Sequence, residues 1–117
     1  MRRLLLIPLM WAGMTAPSLG YYYDGNALYD MCRSTDSSIG YMERARCLGY
    51  ILGVSDTLDS ARDNNRLSAC VPPGVQAGQL NDIVLMYLRN NPALRSMEAN
   101  LLVVMAIGDA FGCAAKK

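Results

Sequence analysis

The side chains in this sequence with the most scope for covalent chemistry are four cysteines, Cys32, Cys47, Cys70 and Cys113. A cysteine nucleophile needs a base to activate it, most often histidine. The chain has 117 residues and no histidine. The same absence removes a serine–histidine pair. Zinc would need four well-separated thiolates, because there is no C-x-x-C pair to begin a site. Asp56, Asp59 and Asp63 recur at about one-turn spacing, but no hydrophobic setting is evident that would raise a carboxyl pKa for acid–base work. They read as a solvated helix face. Gly49-x-x-x-Gly53 lacks the Lys-Ser/Thr of a phosphate-binding loop and falls inside a helical stretch. No catalytic, metal or cofactor-binding set emerges, and the residues point to a binding protein, not an enzyme.

An even number of cysteines then reads as disulfides, which require an oxidising compartment. The first twenty residues fit that compartment. Met1-Arg2-Arg3 is a positive start, Leu4 to Ala12 a short apolar run, and Ala16 to Gly20 a small-residue stretch. This is the pattern of a cleaved secretory signal, with cleavage expected after Gly20. The run is shorter than the ~20 residues that cross a bilayer, and no later stretch is long enough, so no membrane association is expected after cleavage. The mature domain would span residues 21–117. Loss of Arg2 and Arg3 lowers the 11 Lys and Arg to 9, against 10 Asp and Glu. So balanced a chain has no electrostatic case for nucleic acid.

The elements that must position the cysteines are helices. A short helix is expected from Gly25 to Arg33, capped by Asp24 or Asn26. A polar loop from Ser34 to Gly40 precedes the longest helix, Tyr41 to Asp63. At about 100° per residue, its Cys47, Ile51, Val54 and Leu58 share one face. The opposite face carries Gly49 and Gly53, small enough for a close neighbour, either a helix of the same chain or a second chain. Pro72, Pro73 and Gly74 block helix continuation. A third helix, Gln76 to Asn90, buries Leu80, Ile83, Val84, Tyr87 and Leu88. A fourth runs from Pro92 to Gly112 and is apolar nearly all round, which calls for a central position or burial in a dimer. The fold class is all-α, a small disulfide-stapled bundle of one short and three longer helices. With helices running alternately up and down, Cys32 meets Cys47, and Cys70 meets Cys113.

Several stretches in order resemble the Rap/Tai immunity family, the resistance-associated and type VI amidase immunity proteins. They are Gly25-Asn26-x-Leu28-Tyr29-x-x-Cys32, Cys47-Leu-Gly-Tyr-Ile-x-Gly-Val-x-Asp56, Cys70-x-Pro-x-Gly74-Val-x-x-Gly78-Gln79, Tyr87-Leu88-x-x-x-Pro92 and Asp109-Ala-Phe-x-Cys113. Gln76 stands where the family more often has a capping Thr or Ser, and Gly112 where a Pro is common. The resemblance implies a periplasmic, all-helical homodimer without cofactors. Such a protein binds a peptidoglycan amidase effector delivered by type VI secretion and occludes its active site. The candidate contact surface is the connection between the third and fourth helices, Asn90, Asn91, Pro92 and Arg95, with Met86 and Arg89 beside it. The loop Asn64, Asn65, Arg66 and Leu67 is a second candidate. A periplasmic chaperone-like or structural helical module is the alternative class.

Overall fold

Two aspartates set the first two helix starts. In the computed structural model, which describes residues 20–63 and 71–112 (the backbone alone at 59–63), Asp24 is extended and its Oδ1 accepts from Ala27 N at 2.8 Å. Helix α1 therefore begins at Gly25 and ends at Cys32. Asp36 works ahead of α2, Gly40–Asp63. Its Oδ1 accepts from Ser38 Oγ at 2.6 Å, Ser38 N at 2.8 Å and Ile39 N at 3.0 Å. These bonds, that from the Ser38 hydroxyl foremost, hold the Asp36 carboxyl below its ordinary pKa. Helix α3, Ala77–Asn90, leads into a 3₁₀ turn at Pro92–Leu94 and then α4, Ala99–Phe111. The described residues are thus all-α. Among them the β-type pairing is a single isolated antiparallel bridge, Asp24 with Glu98.

That bridge marks a departure from expectation. The fourth helix does not run unbroken from Pro92 to Gly112, because residues 95–98 pair with the start of α1. Gly25 N donates to Met97 O at 2.9 Å, Asn26 N to Arg95 O at 2.8 Å, and Ala99 N to Tyr23 O at 3.0 Å. The first amides of a helix have no acceptor within it, and here the broken segment supplies two. So close an approach requires glycine at position 25. A Cβ there would lie 2.3 Å from Leu102 Cδ1 and 2.8 Å from Arg95 O.

Helix α4 touches α1, α2 and α3, as each of the four helices touches the other three. Its Leu102, Val103, Ala106 and Ile107 are buried among Leu28 of α1, Ile51 and Leu58 of α2, and Leu80, Val84 and Leu88 of α3. Its apolar surface is wider than this buried face: Val104 and Met105 are half-buried and Leu101 is 40% exposed. On α2 the buried stripe is Cys47, Ile51, Ser55 and Leu58. Ser55 takes the place expected of Val54, which is half-buried. Helix α4 stops at Gly112, whose left-handed backbone (φ 58°) lets its amide donate to Gly108 O at 2.9 Å. Any side chain would strain there.

The disulfide Cys32–Cys47 forms as expected, with Cα atoms 5.1 Å apart. Cys70 and Cys113 lie outside the described residues. The alternating topology behind their pairing is not observed. Helix α3 begins beside the first half of α2, because Gly78, Asn81 and Asp82 border the same depression as Cys32, Arg44 and Leu48. Asn81 Oδ1 lies 3.3 Å from Cys47 Sγ, a packing contact, since a disulfide sulfur carries no proton. The segment between Asp63 and Ala77 can reach about 40 Å when extended, longer than α2 at about 36 Å, so its length permits that return.

The glycine face of α2 also differs from the reading of close packing within the fold. Gly49 and Gly53 are exposed, and a Cβ on either would meet nothing within 4 Å. No described element of the chain makes use of their smallness, because the described core lies on the opposite side of the helix.

Candidate partner-binding surface

Five of the six residues expected at a partner surface gather around the end of α3. Met86 is 60% exposed. It stands on a ridge between two depressions. One, toward α4, is a groove of about 370 Å³ lined from α3 by Ile83, Met86, Tyr87, Asn90 and Asn91. Its far wall is Ala106, Asp109 and Ala110 of α4. The other depression holds Arg89 with Asp82, Leu85 and Met86. Pro92 is exposed at the start of the 3₁₀ turn.

Asn91 stands where it could cap the 3₁₀ turn that follows, but its side chain makes no such bond. Instead it closes the one before: its backbone N and its Nδ2 both donate to Tyr87 O, at 3.0 and 2.9 Å. The orphan carbonyls at a helix C-terminus explain the choice. Its Nδ2 is thereby occupied, which leaves Oδ1 as the acceptor of this side chain.

Arg95 is the residue that does not join the cluster. Its guanidinium carbon lies 4.3 Å from the centre of the Tyr29 ring, and Arg33 lies 4.5 Å from the same ring. Its Nε is buried without a hydrogen-bond partner among the described residues. Arg95 thus ties the connection to α1 through a cation–π contact and through its carbonyl to Asn26. It shapes the surface more than it offers a contact. The second candidate, Asn64 to Leu67, lies outside the described residues.

Sequence reasoning missed the α4 wall. Asp109 was visible as part of a motif, yet only the crossing of α4 over the end of α3 brings it opposite Asn90. At the other end of α4, Tyr23 stacks edge-on against Tyr50, ring centres 5.6 Å apart. The Tyr50 phenol is pushed above its ordinary pKa by burial foremost, with Glu98 adding to the shift. The tyrosine run therefore folds over the bundle at Tyr23, while Tyr22 stays open to solvent.

Among the described residues no group of three or more His, Cys, Asp or Glu could hold a metal ion, and no helix is long and apolar enough to cross a membrane. No curated protein matches the chain. A family model, that of the Rap1a immunity proteins, matches residues 24–113. The match begins at the cap of α1 and takes in the whole four-helix unit and the groove. This chain therefore belongs to the Rap1a immunity protein family.

Proposed function

We propose that this protein is a periplasmic immunity protein that binds a peptidoglycan amidase delivered by type VI secretion and blocks its active-site cleft. Membership of an immunity family, over nearly all of the mature chain, carries the reading. Three features support it. The sequence has no histidine, so protection by histidine-based chemistry has no means. The N-terminal stretch has the form of a Sec-type signal, and the Cys32–Cys47 bridge suits an oxidising compartment. The connection from α3 to α4 is short and held on both sides: Asn91 to Tyr87, Met97 N to Leu94 O at 2.9 Å, and Gly25 N to Met97 O. A surface already ordered loses little entropy on docking.

The protein acts in this reading as a homodimer. The solvent face of α2, with Tyr41 82% and Met42 60% exposed beside Gly49 and Gly53, is the surface offered for a second copy. The deciding experiment mixes residues 21–117 with a type VI peptidoglycan amidase from the same bacterium and follows peptidoglycan hydrolysis. Stoichiometric inhibition is expected, together with survival of cells that carry the amidase in the periplasm. Hydrolysis unchanged by a molar excess of folded protein would sink the proposal.

A further inference from the structure

The groove between α3 and α4 has an electrostatic character that the family match does not assign. Among the described residues its lining includes the carboxylate of Asp109 and no cation. Asp109 is exposed and has no ion-pair partner among the described residues. Each wall runs into the last turn of its helix, α3 ending at Asn90 and α4 at Phe111. The carbonyl end of a helix carries partial negative charge, so both ends favour a cation. Asn91 adds a free acceptor oxygen. The nearest arginine along α3, Arg89, lines the other depression. Between these polar groups the lining is apolar: Ala106 is buried, Ile83 and Tyr87 are half-buried, and Met86, with its adaptable thioether, and Ala110 are exposed at the edges.

A negative rim over an apolar bed is the complement of a long aliphatic stem with a cationic head. We propose that the groove receives a lysine or arginine side chain of the effector, its head on Asp109 and its stem along Met86 and Ala106. Lys and Arg commonly bury their methylenes in this way while the charge stays at the rim. This rests on the effector-binding reading above and names the chemistry of the contact.

The test is calorimetric titration of the amidase into residues 21–117, wild type and Asp109→Asn, at two salt concentrations. Because Asp109 is exposed, the variant should melt as wild type does. Binding is expected to weaken about tenfold, as for a charged contact at an interface, and to lose part of its salt dependence. One effector lysine or arginine should, on replacement by alanine, cost as much in the wild type and almost nothing further in Asp109→Asn. Equal affinity of the variant overturns the proposal. So does a loss that couples to no basic residue of the effector. An altered mass of the free variant would assign the groove to a second copy instead, which also overturns it. If the wild type fails to bind the amidase, the effector reading itself falls, and this inference with it.

Discussion

At the scale of single residues, the contrast among glycines is the most informative. Gly25 is enclosed on the backbone side by Arg95 and on the side-chain side by Leu102. A methyl group there has to displace main chain. Gly25→Ala should therefore destabilise the protein by about 1–3 kcal/mol, the usual cost of overpacking, and lower its melting temperature. Gly49 and Gly53 have open space around them. Gly49→Ala and Gly53→Ala should each raise stability by roughly 0.5–1 kcal/mol in the isolated chain, through helix propensity alone. Thermal unfolding followed by circular dichroism distinguishes the two classes. Asp36 allows a test in pH. Its folded carboxyl titrates below the ordinary value of 3.8. The stabilisation it contributes is thus fully present above that value and lost as pH falls through the folded pKa. Asp36→Ala should destabilise the protein at pH 7, and the difference from wild type should shrink in acid below pH 3.8. A gap that persists unchanged at low pH would show that the carboxylate is not the cause.

At the scale of elements, the helix starts differ in quality. Helices α1 and α2 each begin under an aspartate, whereas α3 begins at Gln76, extended (φ −85°, ψ 154°) and with no side-chain cap. Glutamine is too long to fold back onto the amides two and three residues ahead. Gln76→Ser or Gln76→Asp should add about 1 kcal/mol, read as a shift of the denaturant midpoint at constant slope. Helix α1, with 8 residues, is shorter than the ~12–15 at which isolated helices become even marginal. It persists because its first amides are satisfied by Asp24, Arg95 and Met97 and its last residue is bonded to α2.

At the scale of the whole molecule, that last bond joins two elements whose contacts differ in range. Cys32 and Cys47 are 15 residues apart, so the bridge closes a short loop, for which loop-closure entropy predicts about 3 kcal/mol. Through α1, however, it also secures the segment that enters α4. Replacing both cysteines by alanine should cost at least that amount in urea unfolding. It should also speed hydrogen exchange at Gly25, Asn26 and Ala99, whose amides bond across that junction. Protection unchanged at these three amides would mean that the junction holds without the staple.

The sequence by itself determined the helices, the punctuation between them and the Cys32–Cys47 pair, because these follow from local periodicity, capping and short-range spacing. It also carried the family, since the motifs lie in order along the chain. The break at residues 95–98 was not legible. It exists because α1, distant in sequence, needs acceptors for its first amides, and no local propensity records that need. The same holds for Arg95, exposed by sequence logic yet drawn onto Tyr29, and for Ser55 replacing Val54 in the core. The direction of α3 and the meeting of Asp109 with Asn90 and Asn91 were decided by tertiary packing alone. A long connector lets a helix run either way, and burial of the apolar faces of the four helices against one another selects the arrangement that creates the groove.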